Sequence, residues 1–127
     1  MEQQYKNEDE LQIAVAQYLD ARKLHWFHPA NERKTPVRVD KKGRYYSPSG
    51  NKLKAKGVKP GLPDCIILNP KMVIELKIKG NKPTPSQERW LNIFRLLGWP
   101  AYVCETLDEV MEIVERAINE HDKRNQA

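Results

Sequence analysis

Gly61-Leu62-Pro63-Asp64-Cys65-Ile66-Ile67-Leu68-Asn69-Pro70-Lys71-Met72-Val73-Ile74-Glu75-Leu76-Lys77-Ile78 is the stretch on which the fold turns. It reads as two strands, Asp64 to Leu68 and Met72 to Ile78, joined by a tight turn at Asn69-Pro70-Lys71 that gives proline a favoured turn position. Side chains alternate along a strand, so Val73, Glu75 and Lys77 share one face while Ile74, Leu76 and Ile78 share the other. With Pro70 and Lys71 as the two central turn residues, the register sets Asp64 across from Lys77, and Glu75 is a diagonal neighbour on the same face. A one-residue slip would send these side chains to opposite faces.

Working outward, Asn7 to Lys23 reads as a helix with an apolar stripe of Leu11, Val15, Tyr18 and Leu19, and with Asn7 and Glu10 as a capping box. Leu24 to His28 is short and aromatic, as a strand would be. On the other side, Thr84-Pro85-Ser86-Gln87 opens a helix: Thr84 is the N-cap, Pro85 the first helical residue and Gln87 the partner that closes a capping box. Its stripe is Trp90, Leu91, Phe94 and Leu97, with Gly98 as the C-terminal cap. Pro100 to Glu105 reads as a strand, and Thr106 caps a last helix with Val110, Met111, Val114 and Ile118 facing inward and a tail that frays from Glu120. The order predicts an α/β architecture, a mixed sheet of about four main strands flanked by helices.

The chain of 127 residues suits a single domain with one modest core. No apolar run approaches the roughly 20 residues of a membrane span, and Met1-Glu2-Gln3-Gln4 lacks the basic and apolar parts of an export signal, so a soluble cytoplasmic protein is expected. Cys65 and Cys104 lie in apolar strands, without a Cys or His at zinc-site spacing, and read as buried reduced thiols.

Charge is concentrated in one insertion, at about residues 29 to 61. It holds ten basic residues (Arg33, Lys34, Arg38, Lys41, Lys42, Arg44, Lys52, Lys54, Lys56, Lys59) against Glu32 and Asp40, a net +8 that leaves the rest of the chain at −3. Such a patch on a mildly acidic body points to a polyanion, because each lysine or arginine on a phosphate releases condensed counterions. The bland alternative is a solvated loop. Breakers from Pro36 to Pro60 argue for loops, with a short hairpin around Val37-Arg38-Val39 and Arg44-Tyr45-Tyr46. Tyr45 and Tyr46 suit either base stacking or a small satellite core.

Asp64, Glu75 and Lys77 are the candidate chemistry. Two carboxylates a few ångströms apart repel unless a cation joins them, and oxygen ligands select hard ions such as Mg²⁺ or Mn²⁺. A lysine alongside can orient the attacking water or neutralise charge developing on a phosphate, which is the equipment of metal-assisted phosphodiester hydrolysis. Taken alone, Glu-Leu-Lys is more often a solvent-facing ion pair. His25 and His28, either side of Trp26, read as packing or surface residues rather than ligands.

Gly61-Leu62-Pro63-Asp64 followed by Glu75-Leu76-Lys77 resembles the signature of the PD-(D/E)xK nuclease superfamily, and the small size with flanking helices is most similar to its VRR-NUC branch, the virus-type replication and repair nucleases. The resemblance implies a restriction-endonuclease-like core, with Asp64 and Glu75 as metal ligands, the backbone carbonyl of Leu76 joining them, and Lys77 as catalytic lysine. It also implies an acid from the first helix. Glu8 is favoured, since it lies three residues before Leu11 on the inward stripe, whereas Glu10 is explained by capping. Gln12 is similar to the helix glutamine of that family. Gln87 is similar to its glutamine after Glu-x-Lys, although capping alone accounts for Gln87.

The resemblance implies a Mg²⁺- or Mn²⁺-dependent endonuclease acting on DNA, with homodimers that cut branched substrates such as four-way junctions. With no base-reading motif evident, recognition by shape is expected. The rivals are a sequence-specific or single-strand nuclease of the same superfamily, and a DNA-binding module that keeps the fold without cleavage.

Overall fold

The computed structural model describes residues 5–29, 38–46 and 55–126. Three helices, α1 (Glu8–Ala21), α2 (Pro85–Leu96) and α3 (Leu107–Gln126), flank a sheet of β1 (His25–Phe27), β4 (Cys65–Asn69), β5 (Lys71–Leu76) and β6 (Ala101–Cys104) in the order β1-β4-β5-β6. The β1–β4 and β4–β5 pairs are antiparallel and the β5–β6 pair is parallel, so the sheet is mixed. The crossover that parallel pairing demands is supplied by α2. The expected hairpin also forms, β2 (Arg38–Val39) pairing antiparallel with β3 (Tyr45–Tyr46).

Strand alternation sorts the core into two layers. Cys65, Ile67, Met72, Ile74 and Leu76 face Leu11, Val15 and Leu19 of α1 and Val110 and Val114 of α3. On the opposite face Ile66 and Val73 meet Leu91 of α2, with Phe94 and Trp99 beside it. Both faces are covered, so β5 is buried at every position from Met72 onward.

The helix ends follow from their sequences. Asn7 Oδ1 accepts the Glu10 N–H at 2.9 Å, but the Glu10 carboxylate accepts the Lys6 N–H at 3.0 Å, so the reciprocal half of the expected box goes one residue upstream. The box at α2 is complete: Thr84 Oγ1 accepts the Gln87 N–H and Gln87 Oε1 accepts the Thr84 N–H. At its other end Gly98, at φ +86°, lets the Gly98 and Trp99 N–H groups return to the Arg95 and Phe94 carbonyls, a Schellman closure. Trp99 then stacks edge-on against Phe94, with ring centroids 5.6 Å apart.

Several expectations need correction. Leu97 is 69% exposed because it is the C-cap, and Trp99 takes the core place beyond it. Met111 is 37% exposed, since the inward stripe of α3 runs through Val110, Ile113, Val114 and Ala117. That helix continues past Glu120 to Gln126 instead of fraying.

The hairpin register also differs. Leu68 pairs with Lys71 and Cys65 with Ile74, so the turn residues are Asn69 and Pro70, joined by a cis peptide bond, and not Pro70 and Lys71. Lys71 is thereby a strand residue, its ammonium 5.7 Å from the centre of the Trp99 ring. Both registers put the same side chains on the same face, so hydrophobic alternation cannot choose between them.

Candidate active site

Continuing the observed register past Cys65–Ile74 sets Asp64 opposite Glu75, with Lys77 diagonal to it. The three side chains thus share one face, as alternation requires, although the partner of Asp64 is Glu75 rather than Lys77. Gly61 holds the loop that delivers Asp64. At φ +84° it has the left-handed backbone glycine accepts, and a Cβ there would stand 2.7 to 2.8 Å from the carbonyl group of Ser86 in the first turn of α2. The loop can therefore press directly on that turn. Pro63 is buried behind it, and Asp64 Oδ2 accepts the Leu76 N–H at 2.8 Å.

Glu75 is 1% exposed and Lys77 is 7% exposed, the two charged side chains buried among the described residues. Burial first, then a hydrogen bond to the Asp64 carboxyl and its charge, push Glu75 far above the usual carboxylate range, so it is held protonated against Asp64. Its Oε2 is buried without a hydrogen-bond partner, an expensive state for a carboxyl oxygen. The Lys77 ammonium lies 3.6 Å from Glu8 Oε1. Burial also pushes the thiols of Cys65 and Cys104 up to about 12, which keeps them from acting as nucleophiles.

The side chains named from sequence fall into three groups. Asp64, Glu75 and Lys77 are brought together, and Leu76 joins them through its amide. Glu8 reaches Lys77, yet among the described residues no three His, Cys, Asp or Glu side chains gather as a metal cage, so Glu8 is not assembled with the acidic pair. Gln12 donates to Cys65 Sγ at 3.8 Å, and its Oε1 is likewise buried without a hydrogen-bond partner. Gln87 spends its side-chain oxygen on the Thr84 cap.

In the basic insertion, Lys41, Lys42, Lys56 and Lys59 are exposed, and Arg44 is exposed while paired with Asp40 at 3.0 Å. Arg33, Lys34, Lys52 and Lys54 lie outside the described residues, as do the side chains of Arg38, Tyr45 and Tyr46. His25 is exposed on β1. The residue that sequence reasoning passed over is His28, whose Nδ1 lies 2.7 Å from the Asp64 carbonyl oxygen. Nothing local signals it, because the partner is a main-chain atom 36 residues away.

A buried carboxyl oxygen without a partner, beside a second carboxyl, fits a hard divalent cation. Mg²⁺ in particular is commonly held by one or two carboxylates and completed by water and phosphate oxygens. No helix among the described residues is long and apolar enough to cross a membrane. No curated protein matches the chain. Among solved structures, a protein described as a VRR_NUC domain protein is similar over 92% of this chain and 92% of its own, with 27% identity and a TM-score of 0.62. The model of the VRR-NUC domain family matches residues 7–107, from the cap of α1 through the acidic pair and Lys77 to the start of α3, and the chain belongs to that family.

Proposed function

We propose that the protein is a Mg²⁺- or Mn²⁺-dependent endonuclease that hydrolyses phosphodiester bonds in DNA. The observation that carries this reading is the Asp64–Glu75 carboxyl pair with its unpartnered buried oxygen, set on one face with the buried Lys77. Asp64 and Glu75 would hold the ion, with the Leu76 carbonyl beside them, and the bound ion would supply Lewis-acid polarisation of a phosphoryl oxygen.

The chain's own groups do the rest. Leu76 N–H fixes the Asp64 carboxylate through Oδ2. Glu75 would have to release its proton to serve as an ion ligand, because a carboxyl ligates a cation in its ionised form. Lys77, restrained by Glu8, orients the attacking water or neutralises charge on the phosphate through Nζ. Glu8 is therefore assigned to the lysine, and its addition to the ion site would require it to move from Lys77. Gln87 is assigned to the helix cap.

Exposed Lys41, Lys42, Lys56 and Lys59, together with the remaining basic residues of the insertion, would grip phosphates and read DNA by shape. A homodimer acting on branched DNA is part of the proposal, since two-fold symmetry presents two sites to two strands.

Linear duplex, single-strand, flap and four-way junction DNA incubated with Mg²⁺ and either wild type or Lys77→Ala tests it. Branched substrates are expected to be cut by wild type and spared by Lys77→Ala. Equal cutting by both overturns the mechanism, and DNA binding without Mg²⁺-dependent cutting identifies a non-catalytic binding module instead.

A further inference from the structure

The paired register of β1 and β4 ends at Phe27–Ile66, short of Asp64. Beyond it, the Asp64 carbonyl oxygen meets the partly buried imidazole of His28, 2.7 Å from Nδ1. A carbonyl has no hydrogen to give, so Nδ1 carries it and donates. His28 thus carries the cross-strand hydrogen bonding one step past the ladder. On the other side, the Asp64 carboxylate is held by the Leu76 N–H of β5. Asp64 is fastened twice, its main chain to β1 through His28 and its side chain to β5. The same bond closes the base of the basic insertion, which leaves the sheet after His28 and returns at Asp64.

We propose that His28 is a positioning residue for the carboxyl pair: its Nδ1–H fixes the Asp64 main chain, and so the spacing between Asp64 and Glu75 that an ion must span. This rests on the reading of Asp64 and Glu75 as the ion-holding pair. Groups that hold a ligand in place commonly affect metal affinity by tenfold or more. The bond asks for a donor at one atomic position. Asparagine places its amide N–H near where Nδ1 stands, whereas glutamine extends it to the position of Nε2.

Two measurements test the proposal on the full chain. Long-range proton–nitrogen NMR of wild type reads the tautomer of His28, and titration calorimetry reads Mn²⁺ affinity for wild type, His28→Asn, His28→Gln, His28→Ala and the control Asp64→Asn, with a thermal melt of each. The Nδ1–H tautomer is expected. Affinity should drop about tenfold in His28→Ala and His28→Gln and recover to within about threefold of wild type in His28→Asn.

An Nε2–H tautomer, or equal affinity in His28→Asn and His28→Gln, overturns the positioning role and leaves the ion-holding pair standing. Wild type that fails to bind Mn²⁺, or Asp64→Asn that binds as wild type does, removes the pair and the positioning role with it. If His28→Ala does not fold, the tautomer and the Asn-against-Gln comparison still decide.

Discussion

The Glu8 carboxylate stands 3.6 Å from the Lys77 ammonium, joining the first turn of α1 to the residue that follows β5. The pair is unequal, with a lysine side chain 8% exposed facing a glutamate 43% exposed. A half-exposed carboxylate contributes little to stability, on the order of 1 kcal/mol, but it is a fixed neighbour for an ammonium that has almost no access to water. Direction, more than energy, is what Glu8 gives Lys77.

Glu8→Gln is therefore expected to lower plasmid nicking in Mg²⁺ at least tenfold while moving the melting temperature by only a few degrees. Glu10→Gln is the control, because the Glu10 carboxylate is engaged at the start of α1, where it accepts the Lys6 N–H. Loss of nicking in Glu10→Gln with none in Glu8→Gln would reverse the assignment.

Gly61 and Gly80 both sit at positive φ, +84° and +92°, and differ in what a side chain would meet. Alanine at Gly80 finds open space and should cost about 1 kcal/mol, the left-handed penalty alone. Alanine at Gly61 runs into the Ser86 main chain, which adds an overpacking cost of about 1–3 kcal/mol. Urea denaturation should rank the two variants in that order. Only Gly61→Ala should also weaken Mn²⁺ binding, since the same loop delivers Asp64.

The parts of the fold that depend on local chemistry could be read in the sequence. Caps at Asn7, Thr84 and Gly98, the stripe of α1, and the shared face of Glu75 and Lys77 all follow from rules spanning a few residues. What escaped was set by distant partners. The choice of Asn69-Pro70 as turn residues preserves facial parity, so alternation is blind to it, and the hydrogen bond from His28 to the Asp64 carbonyl spans the whole insertion. Leu97 and Met111 fit an idealised stripe yet sit at its margins, where the C-cap or a neighbouring turn takes over the packing.

Gln87 separates two roles that its sequence position cannot. Its contact is with the cap, so Gln87→Ala should cost about 1 kcal/mol by urea denaturation, and Gln87→Glu, which keeps an acceptor for the Thr84 N–H, should cost less. Nicking should stay within about threefold of wild type in both. A hundredfold loss in the glutamate variant, with stability intact, would return Gln87 to the reacting centre.

The protonated Glu75 makes the metal-free protein sensitive to pH in a defined direction. Burial, then Asp64, raise its folded pKa above the ordinary value of 4.5, so the folded state binds a proton that the unfolded state releases. The stabilisation is fully present below the unfolded value and is lost as pH climbs toward the folded one, by at most about 1.4 kcal/mol per pH unit for a full proton. Unfolding free energies in EDTA should accordingly decline from pH 5 to pH 9, and Glu75→Gln, which cannot lose a proton, should show a flatter profile. If the carboxyl pair holds Mn²⁺ as proposed, the ion would compete with the proton for the same oxygens, so its affinity should rise over the same interval, and calorimetry in buffers of different ionisation enthalpy should register proton release on binding. A wild-type stability profile no steeper than that of Glu75→Gln would mean that Glu75 is already ionised at neutral pH and shares no proton with Asp64.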